Sequence, residues 1–301
     1  AFKDLNLSVA EVFAMDAVAE CVGLTRARMA REKLSNLRLV QANALEPPFS
    51  EAAFDLVVVN GVLERMEERQ PHGAPGNVQL AFLKRVALLL KPAGVLLVGT
   101  ENRLSWRSLS GKKASACAHS RAGYRKLLSR SGFKASVFYW SDPAHDQPYD
   151  LVALEDAQVA EHVERQTAEP WLAFRREWKA ALITLAARFG ALKPFVPEFV
   201  IVAAKQERTK LPGFWRKVRE SIPALAGVRN PVFGLTTRPR GGKSVIRVFE
   251  AGSREPCCIL KTHTGMANGP AVFERESNAR RILGEHGERA GPSGRPGRFT
   301  A

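Results

Sequence analysis

The amino-acid sequence predicts an α/β fold for its first 205 residues, and two observations carry this prediction. Short apolar segments alternate with longer segments of helical periodicity, a pattern typical of βαβ units with right-handed crossovers. Three of the apolar segments are also followed by a polar residue at or near their end, namely Asp16, Asn43 and Asn60. Because open α/β sheets bind ligands at the carboxyl ends of their strands, these residues predict a nucleotide-type site.

The spacing of apolar residues and the positions of glycine and proline define the individual helices and strands. The segment 54–59 is continuous and β-branched, as expected for a strand buried on both faces. The helix predicted over 78–90 ends before Lys91 and Pro92, since proline cannot continue a helix. The other expected elements are strands at 12–15, 37–41, 95–100, 133–140 and 199–204, and helices at 18–33, 120–131 and 169–189.

The composition is that of a globular protein, with 45% apolar and 25% charged residues. The four cysteines are not arranged as C-x-x-C, so neither a disulfide framework nor a zinc site is expected. No apolar run approaches the roughly 20 residues that a membrane-spanning helix needs. These features predict a cytoplasmic protein with reduced thiols and no bound metal.

The net charge of +15 is unevenly distributed, because residues 206–301 contain 18 Lys and Arg against 8 Asp and Glu. A basic region of this kind could meet nucleic acid or phosphate. However, the charges are scattered and are not interleaved with aromatic residues in any recognised nucleic-acid motif. Nucleic acid is therefore not the expected partner.

A second region follows a charged segment that ends in Pro-Gly near 205–212. Three short strands are predicted there, at 232–236, 244–250 and 257–262, followed by a helix over 270–283. The predicted domains are thus 1–205 and 206–286. The tail 287–301 is rich in Gly, Pro and Arg without apolar periodicity, which predicts disorder.

Asp16 is the strongest single candidate for ligand binding. A carboxylate at such a strand end can accept two hydrogen bonds from a ribose diol and so hold an adenosine-containing cofactor. Asp16 could equally cap the helix that follows it. Taken alone, this residue leaves both interpretations open.

Four segments occur in a characteristic order. They are QANALEPPFSEAAFDLVVVNGVLERM, FLKRVALLLKPAGVLLVGTENR, SRAGYRKLLSRSGF and FVIVAAK. Together they resemble class I S-adenosylmethionine-dependent methyltransferases, with their Asp-Ala pair, Phe-Asp-Leu-Val strand, Val-Leu-Glu-His helix start and Lys-Pro-Gly-Gly turn. Ala93 replaces the first glycine of that turn and Arg65 replaces the common histidine. The resemblance implies a Rossmann-like methyltransferase sheet over residues 1–205.

The resemblance also implies a set of cofactor-binding residues. Asp16 would bind the ribose of S-adenosylmethionine, and Asn43 stands where the family has an Asp that contacts the adenine. Asn43 keeps an acceptor oxygen and adds an amide donor, but it loses a negative charge beside the cationic sulfonium. Its alternative role is that of a simple turn residue. Ala17, Ala44 and Asn60 complete the implied cofactor site.

One departure from the family is large. The family's first strand and glycine-rich loop should precede the ribose-binding acid by about 20 residues. Only fifteen residues precede Asp16, and none of them is glycine. We therefore expect a sheet that is incomplete at its N-terminus, in a chain that binds the cofactor weakly or not at all.

The implied reaction transfers the sulfonium methyl to an O, N or C nucleophile of a small-molecule or glycan-type acceptor. Such a transfer depends mainly on proximity and alignment. A catalytic base is therefore not required, and none is predicted. Polar residues that could line the acceptor side, although each could also be structural, are Asn60, Glu64, His72, Asn102 and His119.

The second region resembles the amino-terminal lobe of aminoglycoside-phosphotransferase-like kinases, in KSVIRVFEA, CCILKTH and FERESNARRILGEHG. In kinase-like folds a strand lysine and a helix glutamate position the phosphates of the nucleotide. This pair would be Lys261 with Glu276, or with Glu274. The resemblance implies a small α+β kinase-like fragment, and ATP with Mg²⁺ in a full-length second domain. No His-x-Asp catalytic loop follows, so kinase activity from this chain is not expected.

The leading interpretation is a methyltransferase domain truncated at its front and cut, with part of a kinase-like lobe, from a bifunctional enzyme. Two alternatives stay open. One is a small-molecule phosphotransferase whose first half is a scaffold, and the other is a degenerate, non-catalytic binding module. The sequence predicts no oligomeric state.

Overall fold

The computed structural model describes residues 11–66, 77–107, 111, 114–146, 148–154, 158–159, 162–163, 185–186, 189–206, 228, 231–238, 243–253 and 255–263. Those up to residue 262 belong to one compact unit. The elements are β1 (Val12–Asp16), α1 (Ala19–Glu32), β2 (Leu37–Gln41), β3 (Phe54–Asn60), α2 (Asn77–Leu89), β4 (Leu90–Glu101), α3 (Arg121–Arg130), β5 (Ala135–Asp142), β6 (Asp150–Ala153), β7 (Glu198–Ala204), β8 (Pro231–Arg238), β9 (Lys243–Glu250) and β10 (Pro256–His263), with short 3-10 helices at Leu63–Arg65 and Lys193–Phe195.

The strands form two sheets. β1 and β2 pair in parallel as a two-stranded sheet, and the other strands form a mixed sheet of order β10-β9-β8-β6-β5-β7-β4-β3. β3 and β4 are parallel and are joined through α2, as parallel neighbours require. β7 runs antiparallel to both β4 and β5. The fold is therefore mixed α/β with a large sheet, as the sequence predicts at this level.

β4 is longer than predicted and begins directly where α2 ends. Phe54 of β3 pairs with Leu90, whereas Leu56 pairs with Val95, so the register shifts across residues 91–94. An irregularity of this kind accommodates Pro92, which cannot donate a ladder hydrogen bond. The sequence correctly ended the helix before Lys91, but it missed that the chain continues as strand.

The core lies between the large sheet and helices α2 and α3. β7 is buried along almost its whole length because it lies between β4 and β5. The rings of Phe138 and Phe199 meet edge to face with centroids 5.6 Å apart. Fully buried side chains from α2, α3, β4 and β7 complete this core, among them Leu83, Leu128, Leu96, Val98 and Ile201.

The aromatic residues Phe13, Phe49 and Phe54 connect the small sheet to β3. Their ring centroids lie 5.3, 5.8 and 5.0 Å apart in edge-to-face geometry. β3 is the last strand of the large sheet, and its Leu56 and Val58 are 43% and 51% exposed. The expectation of a strand buried on both faces is thus wrong at these two positions, which are two residues apart and therefore lie on the same face of β3.

The strands predicted for the second region are present and extend the large sheet. β8 pairs antiparallel with β6, and β9 pairs with β8. β6 was not predicted, because four residues are too few to show periodicity. The predicted helix 270–283 and the tail 287–301 lie outside the described residues, as does nearly all of the predicted helix 169–189, and the proposed domain division stays a prediction. No helix within the described ranges is long and apolar enough to cross a membrane.

Candidate active site at the carboxyl ends of β1 to β4

The parallel pairing of β1 and β2 brings Asp16 and Asn43 to the same edge. Asp16 lies opposite Gln41, and its carbonyl accepts a hydrogen bond from the backbone N–H of Ala42 at 3.1 Å. Asn43 follows one residue later, and both side chains are exposed. The pair can therefore be reached by a ligand that lies across the ends of the two strands.

Asp16 has a local structural role as well. Its Oδ1 accepts a hydrogen bond of 2.9 Å from the backbone N–H of Val18, which precedes α1. This is a turn interaction rather than a bond to the first helical turn. An ionised carboxylate offers about four acceptor positions, so Asp16 can still bind a ribose diol. Ala17, which is exposed, accepts from Gln41 Nε2 through its carbonyl at 3.5 Å.

Asn43 has the turn role that the sequence left open, and its adenine contact stays a prediction. Its Oδ1 accepts from the backbone N–H of Leu45 at 3.0 Å, which makes it a turn residue. The side-chain amide remains a donor of the kind that suits a ring nitrogen of adenine. Ala44 packs against the hydrophobic core and forms an apolar wall beside it. The residues at this edge fit an adenosine-containing cofactor.

Asn60 belongs to a second cluster, at the ends of β3 and β4. It lies opposite Gly99, where a Cβ atom would stand only 2.0 Å from Asn60 Oδ1. Gly61 follows with a φ of +67°, and a Cβ there would lie 3.2 Å from His145 Nε2. Both positions need glycine, Gly99 for its close approach and Gly61 for its backbone conformation as well.

His145 lies at the centre of this second cluster. Its Nδ1 is 2.7 Å from Glu198 Oε2, and its backbone N–H donates to the same oxygen at 2.6 Å. The other oxygen of Glu198 pairs with Arg107 Nη1 at 2.7 Å. On the opposite side of the ring, Nε2 lies 3.9 Å from Glu64 Oε1. A histidine, an arginine and two carboxylates are therefore in one connected group.

Glu64 connects this group to the buried core. It is 1% exposed, and its Oε2 accepts a hydrogen bond of 2.9 Å from the Thr100 hydroxyl. The Tyr124 hydroxyl lies 2.7 Å from Thr100 Oγ1 and donates to the Glu101 carbonyl at 3.1 Å. Glu64 Oε1 has no hydrogen-bond partner among the residues that the structure describes. A buried acceptor left in this condition costs stability unless another group approaches it.

The environment shifts the pKa of three of these groups. Burial alone would lower the pKa of His145, but the hydrogen bond and charge of Glu198, with the charges of Glu64 and Asp146, raise it above 6.5. Burial would raise the pKa of Glu198, whereas the bonds from His145 and the charges of His145 and Arg107 lower it. Burial raises the pKa of Tyr124 far above its usual range, which keeps this hydroxyl protonated.

The remaining predicted residues are not drawn into the cluster around His145. Asn102 is fully buried and donates to the carbonyls of Pro194 and Val196 at 2.8 and 2.6 Å, so it holds the loop before β7. His119 Nε2 lies 2.6 Å from Gln79 Oε1, a contact within the fold. His72, Glu274 and Glu276 lie outside the described residues. Lys261 lies on β10.

The sequence did not single out His145, Glu198 or Arg107 as functional. They come from three distant segments of the sequence. β7 runs antiparallel to both β4 and β5, so the end of β5 and the first residue of β7 both lie at the edge formed by the ends of β3 and β4. Glu198 pairs in register with Glu101, the last residue of β4. For Glu198 the available signal was a charged residue at the start of a strongly apolar strand. Within the part of the chain that the structure describes, no group of three or more His, Cys, Asp or Glu is arranged to hold a metal ion.

Comparisons with known proteins bear on the same region. Residues 1–98 match a family model described as a methyltransferase domain, a segment that includes Asp16, Asn43, Asn60 and Glu64. This match covers about a third of the chain. No curated protein matches the chain significantly.

Solved structures resemble the chain distantly. The YcgJ protein from Bacillus subtilis has 14% identity over 67% of this chain and 86% of its own, with a TM-score of 0.40. A SAM-dependent methyltransferase from Aquifex aeolicus has 16% identity over 42% and 60%, with a TM-score of 0.35. Phosphoethanolamine N-methyltransferase 2 from Haemonchus contortus, in complex with S-adenosylhomocysteine, has 15% identity over 68% and 46%, with a TM-score of 0.40.

Proposed function

We propose that this chain carries the site of an S-adenosylmethionine-dependent methyltransferase. Asp16 would bind the ribose, Asn43 would contact the adenine, and Asn60 would lie toward the methyl end. The observation that supports this most directly is the parallel pairing of β1 and β2, which places exposed Asp16 and Asn43 at one edge. That edge lies inside the segment that matches a methyltransferase domain.

The side chains suit the parts of this cofactor. The carboxylate of Asp16 can accept hydrogen bonds from both ribose hydroxyls, and its negative charge favours a cationic ligand. Ala17 and Ala44 are small and leave space for a planar base beside the strand ends. When it is bound, S-adenosylmethionine supplies an electrophilic methyl group on a sulfonium. The chain then contributes binding, orientation and the exclusion of water.

The acceptor is proposed to be a small molecule or a glycan-type compound. The polar groups of the second cluster, such as Glu64 and Thr100, are buried. Only a small group, or the end of a larger one, can approach them. This favours an acceptor that enters the edge of the sheet over one that lies on a flat surface.

Binding to the natural full-length protein tests the cofactor assignment. Calorimetry with S-adenosylmethionine should show that Asp16→Ala weakens binding by about 10- to 100-fold, the value of one or two hydrogen bonds to a charged group. Asp55→Ala is the matched control, because Asp55 is exposed at the start of β3 and pairs with Lys91 at 2.8 Å. If the wild-type protein binds no S-adenosylmethionine, or Asp16→Ala binds as well as Asp55→Ala, the ribose assignment is wrong.

The phosphotransferase alternative has no comparable structural observation in its favour. Lys261 lies on a strand as predicted, but the helix that would carry Glu276 or Glu274 is outside the described residues. A kinase-like lobe, ATP with Mg²⁺, the cut from a bifunctional enzyme and a cytoplasmic location all stay predictions.

A further inference from the structure

The second cluster contains a histidine whose orientation is fixed at one ring nitrogen. Nδ1 of His145 and its backbone N–H both meet Glu198 Oε2, at 2.7 and 2.6 Å. A carboxylate with a lowered pKa accepts hydrogen bonds but does not donate them, so Nδ1 carries the proton of the neutral ring. Nε2 is then the nitrogen with the free lone pair. Arg107 holds Glu198 in turn from the other side at 2.7 Å.

The free nitrogen faces the end of β3. Nε2 lies next to Gly61, where a Cβ would stand 3.2 Å from it. The preceding residue, Asn60, is exposed at the strand end. The His145 side chain is 13% exposed, so a small group can reach the ring. The basic nitrogen thus lies beside the residue assigned to the methyl end of the cofactor site.

The charges around His145 favour the uptake of a proton. Glu64 and Glu198 are well buried and contribute negative charge, the partly exposed Arg107 contributes positive charge, and exposed Asp146 adds further negative charge. With a neutral imidazole the three buried or partly buried neighbours leave one uncompensated negative charge. A proton on Nε2 neutralises that charge and gives Glu64 Oε1, which has no hydrogen-bond partner among the described residues, a cationic neighbour at 3.9 Å.

We propose that His145, positioned by Glu198, is the general base that accepts the proton of the methyl acceptor's hydroxyl or ammonium group. This rests on the proposed methyltransferase function. The acceptor's O–H or N–H bond breaks, its proton passes to Nε2, and its electron pair stays on the oxygen or nitrogen. That pair forms the bond to the methyl carbon as the carbon–sulfur bond breaks with its electrons going to sulfur. The acceptor class is therefore a nucleophile that arrives with its proton.

Two forms of the cofactor that differ by one charge test whether His145 faces the methyl group, and no methyl acceptor is needed. S-adenosylmethionine carries a positive sulfonium, whereas the sulfur of S-adenosylhomocysteine is neutral. A base that faces the methyl group must have a lower pKa in the first complex, by about one pH unit at a separation of a few ångströms. Ring-¹⁵N histidine NMR of the natural full-length protein measures this pKa in both complexes, and His145→Gln identifies the signal.

Two further comparisons test whether Glu198 positions His145 and whether the pKa change is specific to His145. Glu198→Gln should lower the pKa of His145 in the protein without cofactor, because burial is then opposed only by Glu64 and Asp146. His162 is the control, since it also lies beside a carboxylate, with Nε2 3.3 Å from Asp142 Oδ2, but is fully buried. Its ring signals should respond equally to the two cofactors.

The outcomes distinguish this inference from the proposed function. A lower His145 pKa with S-adenosylmethionine than with S-adenosylhomocysteine, together with a drop in Glu198→Gln, supports it. Equal values in the two complexes, or no change in Glu198→Gln, overturn the role of His145 while leaving cofactor binding intact. If neither compound binds, the proposed function fails first and this inference fails with it.

Discussion

The hydroxyl of Tyr124 provides a quantitative test of the buried network behind the site. Tyr124 is fully buried, and its oxygen lies 2.7 Å from Thr100 Oγ1 and 3.1 Å from the Glu101 carbonyl. In Tyr124→Phe the ring stays and only these contacts are lost. Because the Glu101 carbonyl then loses a donor inside the fold, we expect a loss of about 1 to 2 kcal/mol in the free energy of unfolding.

Thermal and urea unfolding followed by tryptophan fluorescence measure this loss. For a chain of this size it corresponds to a decrease in Tm of about 2 to 8 °C. Burial keeps the pKa of Tyr124 far above its usual range, so the loss should be constant over about pH 6 to 9. Tyr149→Phe is the matched control, because Tyr149 is 45% exposed. An equal loss in both variants, or no loss in Tyr124→Phe, would show that the hydroxyl is not bonded as described.

Three further predictions follow from the same contacts. Gly99→Ala places a Cβ 2.0 Å from Asn60 Oδ1 and 3.3 Å from His145 Cβ. The substitution should therefore displace Asn60 and lower the free energy of unfolding by about 1 to 3 kcal/mol. A crystal structure of the variant with Asn60 unmoved would contradict this. Ser120→Ala removes the side-chain cap of α3 and should cost about 1 kcal/mol in urea unfolding; an unchanged midpoint would show that the cap is dispensable. The pKa of His145 is raised and that of Glu198 is lowered, so their pairing stabilises the fold fully between the ordinary values of 6.5 and 4.5. This stabilisation is lost as pH rises through the raised pKa of His145 or falls through the lowered pKa of Glu198. The loss of unfolding free energy in His145→Gln, measured by urea unfolding, should therefore be largest within that range. A loss that is independent of pH would refute the pairing.

Much of the first half could be read from local patterns. The strand 54–59, the helix before Pro92 and the helix before Gly132 are each specified by residues close in sequence, and the structure has all three. Asp16 and Asn43 were expected at one sheet edge, and parallel pairing of β1 with β2 places them there. The exposure of Leu56 and Val58 could not be read, because burial of a strand depends on neighbours that come from elsewhere in the chain.

The spacing of apolar residues and the positions of glycine and proline thus determine where helices and strands form in this chain, and which polar residues end the first parallel strands. These properties depend on interactions over a few residues. The group of His145, Glu198, Arg107 and Glu64 was decided by the tertiary structure alone. It arises because β7 runs antiparallel between β4 and β5, which brings Glu198 into hydrogen-bond contact with His145 and Arg107, 53 and 91 positions away in the sequence. The direction of a strand relative to its neighbours cannot be predicted from a local sequence pattern. The position of His145 Nε2 beside Asn60 therefore became visible only in the tertiary structure.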